Sequence, residues 1–327
     1  MMKIISLLIC WLVISAGAFA QNSDTNFERE IKELNQEISQ FAGQKKFAEA
    51  VPSAQKVVEL AKSNFGETHT EYAKALQTLG YLYFVIEKND EAEAALETTL
   101  KIYEGKSDAE DLQIGVLETL ASLKYKDNDH KKAIKLLERV VELREQSKNQ
   151  DPGKLMASLW SLANLNYSVQ QFDKSAEIYR RVFDLRRTQN AVNDSELLDA
   201  YTRTFCSLNK ADKGKEATNF ETAFFDEVFR NRNVKNIDFL KVKALDLPPP
   251  QYPAVAGKLK KGGQVKVLAV IDEKGNVTFS CAKTNQYYFG FVNAAEKAAY
   301  RAKFSPVVIN GEPVKAITTI TYNFSRE

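Results

Sequence analysis

Apolar residues recur at helical spacing through the middle of the chain, in columns that repeat about every 42 residues. One column holds small residues: Ala50, Ala92, Ala133, Ser175 and Ala217. A second column holds Leu79, Leu120 and Leu162, and a further leucine follows each of these three residues later. Two apolar columns per unit predict two amphipathic helices per unit. Because one such pair cannot bury its apolar face alone, we expect about five units to stack as an all-α helical-hairpin solenoid over residues 27–232.

An aromatic column accompanies the leucines at Phe84, Tyr125 and Tyr167. Packing in the helical core is the first interpretation of this column. Because a tyrosine hydroxyl can also reach a surface, Tyr125 and Tyr167 are the candidate partner-binding residues of the helical region.

The period of the apolar pattern changes to two near the end of the chain. Residues 233–250 form a linker that ends in three consecutive prolines, which favour an extended, stiff connection. Beyond the linker the alternation predicts strands, and Gly275 supplies the positive φ that a short hairpin turn needs. The expected elements are a short helix at 252–260, strands at 264–271 and 277–281, a helix at 289–302 and a strand at 316–324. This order predicts a small α+β domain over residues 251–327.

The first twenty residues have the pattern of a signal peptide. Lys3 precedes an apolar run from Ile4 to Ala20, and the run ends in Ala18-Phe19-Ala20, with small residues at the −3 and −1 positions. The expectation is therefore a signal peptide over residues 1–20 and export from the cytoplasm. The alternative is an uncleaved helix that anchors the chain in the inner membrane, because this run of 17 residues, which includes Ser6 and Ser15, lies at the short limit of a membrane span.

Charge separates the two predicted domains. The whole chain has a formal net charge of +2, which argues against a surface that binds nucleic acid throughout. Residues 21–240 carry 31 basic and 37 acidic side chains, whereas residues 241–327 carry 13 and 6. These opposite signs predict a salt-sensitive contact between the helices and the small domain. Cys206 and Cys281 are expected to be two separate buried thiols, and a disulfide is the alternative that export permits.

No catalytic pattern is present in the sequence. It contains no nucleophile elbow, no His-Glu-x-x-His, no Cys-x-x-Cys and no phosphate loop. His69 and His130 have no second histidine or cysteine at ligand spacing, so a solvated or capping role is expected for both. The prediction is a protein that is not an enzyme, with no catalytic, cofactor-binding or metal-binding residue, no cofactor and no small-molecule substrate.

The repeat columns resemble those of the tetratricopeptide repeat, whose usual unit is shorter. The longer unit here, and the segment Gly66-Glu67-Thr68-His69 before Tyr72-Ala73, are similar to the 42-residue repeats of kinesin light chains. The resemblance implies a solenoid that binds a protein or peptide.

The end of the chain resembles the C-terminal domain of the TonB family. The matching residues are Tyr252-Pro253, Ala256, Gly263, Val265, Ile271-Asp272, Gly275, Val277, Ala295, Ala298, Ala299, Phe304, Pro306, Tyr322 and Phe324. The chain departs at Ala302, where family members commonly carry tryptophan. The resemblance implies a periplasmic domain that captures an extended segment, such as one from an outer-membrane transporter, at a sheet edge.

The last strand is the expected edge, with Ile320 and Tyr322 as its candidate partner-binding residues. An ordinary strand whose edge the chain itself covers is the alternative. The predicted function is therefore a non-enzymatic periplasmic interaction scaffold with two protein partners in the cell envelope. The alternative is a TonB-like transport-associated component that an uncleaved N-terminus holds in the inner membrane.

Overall fold

The computed structural model describes residues 26–104, 106, 109–147, 151–188, 195–232, 242–258, 262–284, 290–309 and 311–325. These residues belong to two compact units, of which the first ends at Gln150 and the second begins at Asp151. The predicted signal peptide lies outside the described residues, as does the linker segment 233–241.

The first unit consists of paired helices. They are α1 (Asn26–Gly43), α2 (Phe47–Phe65), α3 (Thr70–Val85), α4 (Asn89–Glu104), α5 (Glu110–Lys126) and α6 (His130–Gln146), and each packs on the next. The second unit begins with α7 (Pro152–Ser168), α8 (Phe172–Thr188), α9 (Ser195–Lys210) and α10 (Gly214–Arg232), which pack in the same consecutive way. The predicted helical hairpins are confirmed.

Small residues lie where the helices of a pair approach each other. Every member of the small column is buried, from Ala50 at 0% exposure to Ala217 at 1%. At Gly80 a Cβ atom would lie 2.8 Å from the side chain of Leu96 on the following helix. These positions stay small because a larger side chain would push the paired helices apart.

Each hairpin turns through one residue in the left-handed region of backbone space. These residues are Lys45, Glu87, Asn128, Gln170 and Asp212, with φ between 59° and 63°. In each turn the following N–H donates to a carbonyl five residues earlier at 2.9 Å, as Lys88 does to Tyr83. This bond closes the helix end in the manner of a Schellman motif, although none of the five residues is glycine.

The second unit ends in a small α+β domain. Its elements are β1 (Ala244–Asp246), α11 (Ala254–Lys258), β2 (Gly263–Ile271), β3 (Val277–Ala282), α12 (Phe291–Arg301), β4 (Lys303–Phe304), β5 (Val307–Ile309), β6 (Glu312–Val314) and β7 (Ala316–Phe324). Strands β3, β2 and β7 form an antiparallel sheet in that order, whereas β1 pairs with β4 and β5 with β6. The α+β prediction is confirmed, and the β1–β4 pair and the β5–β6 hairpin are additions to it.

The hairpin turn between β2 and β3 is tightly constrained. Gly275 has φ of 84°, and a Cβ atom there would lie 1.9 Å from the carbonyl oxygen of Phe304. Asp272 closes the same turn, because its Oδ1 accepts from the backbone N–H groups of Lys274 at 3.0 Å and Asn276 at 2.7 Å. The positive φ predicted for Gly275 is confirmed.

Helix α12 covers one face of the sheet and helix α9 contacts β2 and β3. The α12 face holds the main core of the domain, which includes Val267, Ala269, Ala298 and Ile320. Ala302, at the position of the family's usual tryptophan, is also fully buried in this core.

A disulfide joins Cys206 on α9 to Cys281 on β3, with their Cα atoms 5.9 Å apart. The expectation of two separate thiols is therefore wrong. It failed because the packing of α9 on the sheet brings together two cysteines that are 75 residues apart in the sequence.

Candidate functional site

The candidate site is an edge of the three-stranded sheet. Since β2 is central, β3 and β7 are the two edges. The N–H of Lys283 donates to the carbonyl of Lys266 at 2.8 Å, so the backbone of Lys266 faces β3 and that of its neighbour Val267 faces β7. This alternation decides which backbone groups of each edge point away from the sheet.

Side chains of α12 cover the β3 edge. The outward N–H of Ala282 donates to Oε1 of Glu296 at 2.8 Å. The carbonyl of Thr278 accepts from the hydroxyl of Tyr300 at 3.2 Å. These two bonds occupy groups that an incoming strand would need, so the edge is protected against strand addition.

No described side chain covers the β7 edge in this way. The register with β2 points the backbone N–H and C=O groups of Thr319, Thr321 and Asn323 away from the sheet. In the part of the chain that the structure describes, no backbone or side-chain group forms a hydrogen bond with these six groups. All three residues are exposed. The edge therefore offers three donors and three acceptors in a row.

The predicted residues Ile320 and Tyr322 lie on this edge strand, but their side chains point into the core under α12. Ile320 is 5% exposed and Tyr322 is 6% exposed. Their backbone groups face Val267 and Val265 of β2. Burial raises the pKa of the Tyr322 hydroxyl, which has no hydrogen-bond partner among the described residues. These two residues hold the strand in place, and their neighbours present the open groups.

The predicted tyrosines of the helical region lie at hairpin turns. Tyr125 ends α5 and is 42% exposed, and its ring centroid is 5.3 Å from that of His130 at the start of the next helix. Tyr167 is half-buried and packs edge-on against Phe172, with centroids 5.2 Å apart. Both rings thus contact the first residue of the helix that follows. Tyr125 is the more accessible of the two.

The described residues contain no group of three or more histidine, cysteine, aspartate or glutamate side chains that could hold a metal ion. His69 is the N-cap of α3, since its Nδ1 accepts from the N–H of Glu71 at 3.2 Å. The capping role predicted for His69 is confirmed. Among the same residues, no helix combines the length and the apolar character that a membrane span requires.

Families of known proteins match separate parts of the chain. Residues 248–325 match the family described as the Gram-negative bacterial TonB protein C-terminal. Residues 39–105 and 114–147 match two tetratricopeptide repeat families. Both resemblances stated from the sequence are confirmed. Together they indicate a protein-interaction scaffold associated with the cell envelope.

Solved structures share the fold of the repeat helices. Two of them are crystal structures of nearly identical TPR-like repeats of a kinesin light chain from Podosopora anserina. One is 16% identical with a TM-score of 0.51 and covers 65% of this chain and 100% of that chain. The other is 16% identical with a TM-score of 0.50 and covers 62% and 97%. At this identity the similarity concerns the fold alone. No curated protein sequence gives a match.

Proposed function

We infer that the chain is a non-enzymatic interaction scaffold of the periplasm. In this proposal the helical repeats bind one protein or peptide, and the small domain captures an extended segment of a second envelope protein. The observation that carries the proposal is the difference between the sheet edges, since α12 covers β3 while β7 presents a row of unoccupied backbone groups.

Strand addition is the binding mode that suits the β7 edge. An extended peptide beside β7 pairs with the outward groups of Thr319, Thr321 and Asn323, and these main-chain bonds supply affinity. Selectivity comes from the peptide side chains, which point alternately to the two faces of the sheet. On one face they lie beside exposed polar residues, and on the other they lie beside the edge of the α12 core. The buried side chains of Ile320 and Tyr322 keep the strand straight and fixed, so little order is lost on binding.

A substitution that removes one outward donor tests the site. Thr321→Pro removes an N–H that points away from the sheet and places a ring where the partner backbone must approach. We expect immobilised full-length Thr321→Pro to lose an envelope protein that the unchanged chain retains, as quantified by mass spectrometry. Thr321→Val is the matched control, because it changes the side chain and keeps the N–H.

Equal capture by the proline and valine variants would contradict the proposal. Amide exchange of β2 and the far-ultraviolet circular dichroism spectrum verify that both variants keep the sheet. A Thr321→Pro chain that keeps its fold but no longer captures the envelope protein supports strand addition at this edge.

In the helical region, Tyr125 is the proposed contact for the partner of the repeats, and Tyr167 holds the same column of the sequence repeat. The exposed fraction of Tyr125, 42%, leaves part of its ring accessible although the other part packs on His130. An exposed aromatic ring at a repeat turn suits an apolar or proline-containing peptide side chain.

The periplasmic location rests on the N-terminal pattern and on the envelope association of the TonB-like segment. Mass spectrometry of the mature protein tests it. A chain that begins at Gln21 supports a cleaved signal peptide, and a chain that retains Lys3 to Ala20 supports the membrane-anchored alternative.

A further inference from the structure

The second face of the small sheet lies against α9, the first helix of the last helical pair. Leu268 and Val270 of β2 and Ile317 of β7 are buried at 3%, 0% and 1% exposure. The sheet register places them on the face opposite the α12 core. Since α9 contacts β2 and β3, the sheet lies between two helical layers, one from its own domain and one from the repeats.

The disulfide lies inside this contact. Cys206 is 0% exposed and Cys281 is 1% exposed. The guanidinium carbon of Arg203, one turn before Cys206, is 3.9 Å from the ring centroid of Phe279, two residues before Cys281. The bond therefore joins two surfaces that already pack against each other.

Two ion pairs join the small domain to the last helical pair. Lys283 pairs with Glu221 of α10 at 2.7 Å, and Lys315 pairs with Asp199 of α9 at 2.6 Å. In both pairs the base belongs to the small domain and the acid to the helices, whereas the longer pair between Lys210 of α9 and Glu296 of α12, at 3.8 Å, has the reverse order. The four side chains of the two shorter pairs are only 17% to 28% exposed, so salt screens them less than it screens surface pairs.

We propose that the small domain is fixed on the last helical pair by a two-part lock, in which the ion pairs seat the domain and the disulfide closes the contact. Either part alone holds the domain, and only the loss of both releases it. The lock leaves the β7 edge open while it immobilises β3, so the domain works as a fixed cap on the repeats and not as a freely tethered module.

Opening the lock is a two-electron thiol–disulfide exchange with an external dithiol. A thiolate of the dithiol attacks one cysteine sulfur, and the other cysteine leaves as a thiolate and takes up a proton. The second thiol of the reagent then displaces the remaining cysteine. The dithiol becomes a disulfide, and both cysteines become thiols. Because both sulfur-bearing residues are buried, the contact must open before the reagent reaches them.

A distance measurement on the full chain tests the lock. Spin labels on unnatural residues at Glu177 of α8 and Lys297 of α12, both exposed, report the separation of the helical layer and the sheet domain without using cysteine. We expect one narrow distance distribution for the oxidised chain, both at low salt and at about 1 M salt, where the Debye length falls to roughly 3 Å.

Variants separate the two parts of the lock. The Cys206→Ser/Cys281→Ser chain is expected to keep the narrow distribution, and to lose it when Lys283→Ala and Lys315→Ala are added to the same chain. The Lys283→Ala/Lys315→Ala chain is expected to keep it at both salt concentrations until dithiothreitol is added, and then to lose it even at low salt. Lys258→Ala/Lys266→Ala, which changes two exposed lysines of the same domain, is the matched control and is expected to behave as the unchanged chain does.

Either of two results would overturn the proposal. A chain with all four substitutions that stays narrow would show that the disulfide and the two ion pairs do not hold the domain, and a serine variant that is broad at low salt would show that the ion pairs do not seat it. Amide exchange of β2 and β7 establishes that the sheet remains folded in each variant. Binding of an apolar dye is the second readout, because release exposes Leu268, Val270 and Ile317.

Discussion

The helical hairpins and the sheet hairpin both turn through left-handed backbone, but they use different residues to do so. The helical turns place ordinary side chains there, such as Gln170 with φ of 63°. The sheet turn uses Gly275, where a Cβ atom would lie 1.9 Å from the carbonyl oxygen of Phe304. The helical turns thus accept a moderate backbone strain, whereas the sheet turn combines the same strain with a close contact that excludes a side chain.

The same contrast appears in how each region satisfies its backbone. Beyond its first turn each helix bonds its N–H groups internally, and each hairpin turn is closed by a bond such as that from Gln171 to Asn166 at 2.9 Å. The sheet covers one edge with Glu296 and Tyr300 and leaves the other edge open. The repeats therefore bond most of their backbone within helices and turns, whereas the described part of the β7 edge presents backbone groups to which a partner strand can pair.

The largest expected effect is at the sheet turn. Gly275→Ala forces a Cβ atom against Phe304 and should lower the free energy of unfolding of the small sheet by about 3 kcal/mol or more. Amide exchange of β2 and β3 measures the change. Gly66→Ala is the matched control, because Gly66 has a similar φ of 86° but no atom within 4 Å of the added Cβ. We expect it to cost about 1 kcal/mol, and equal costs at the two sites would refute the contact argument.

A smaller effect is expected at Asp272 in the same turn. Burial alone would raise the pKa of this carboxyl, but hydrogen bonds from the backbone N–H groups of Asn276 and Lys274 lower it below its usual value. The carboxylate should therefore stabilise the turn at neutral pH. This stabilisation should begin to decrease as the pH falls below about 4, the pKa of the carboxyl in the unfolded chain. It should be lost once the pH has fallen through the lowered pKa of the carboxyl in the folded protein.

Asp272→Ala should reduce the free energy of unfolding of the sheet by about 1 to 2 kcal/mol at pH 7, and by less at pH 3. Amide exchange at the two pH values measures both changes. Asp272→Asn keeps an acceptor oxygen and removes the charge, so it should cost less than the alanine variant at pH 7, and its cost should also fall at pH 3, where the unchanged carboxyl is protonated. A cost of the alanine variant that is the same at pH 7 and pH 3 would contradict this role.

The smallest effect, with the opposite sign, is expected in a helical turn. Gln170→Gly relieves the left-handed strain at an exposed position and should raise the free energy of unfolding by about 0.5 kcal/mol. Gln170→Ala retains the strain and should change little. Chemical denaturation followed by circular dichroism compares the two variants, and a destabilised glycine variant would contradict the prediction.

The sequence alone predicted the helices and strands whose apolar pattern repeats over a short stretch of chain. The small column at Ala92 and Ala133 predicted the paired helices because each unit repeats the same packing, and the alternation around Val267 predicted a strand. The strand predicted at 264–271 is observed at Gly263–Ile271, and the last strand has the predicted bounds, Ala316–Phe324. The β5–β6 hairpin was not predicted because three residues in each strand are too few to show a period.

Features that depend on distant contacts were not predictable in the same way. Nothing near Cys206 indicates that Cys281 lies beside it, because their approach depends on how α9 packs on the sheet. The alternation of β7 placed Ile320 and Tyr322 on a strand, which the TonB resemblance made the expected edge, but it did not say which face is buried. The role of Glu296 in covering the β3 edge carries no sequence signal, since one glutamate on an amphipathic helix resembles any other.

The most direct test of the central claim compares the two edges in one experiment. A photoreactive residue placed at Thr319 on the β7 edge or at Thr278 on the β3 edge occupies an exposed threonine position in either case. After irradiation of the full-length protein in envelope extract, we predict a discrete cross-linked partner from position 319 and none from position 278. A partner that cross-links from 278 and not from 319, or equally from both, would contradict strand capture at the open edge.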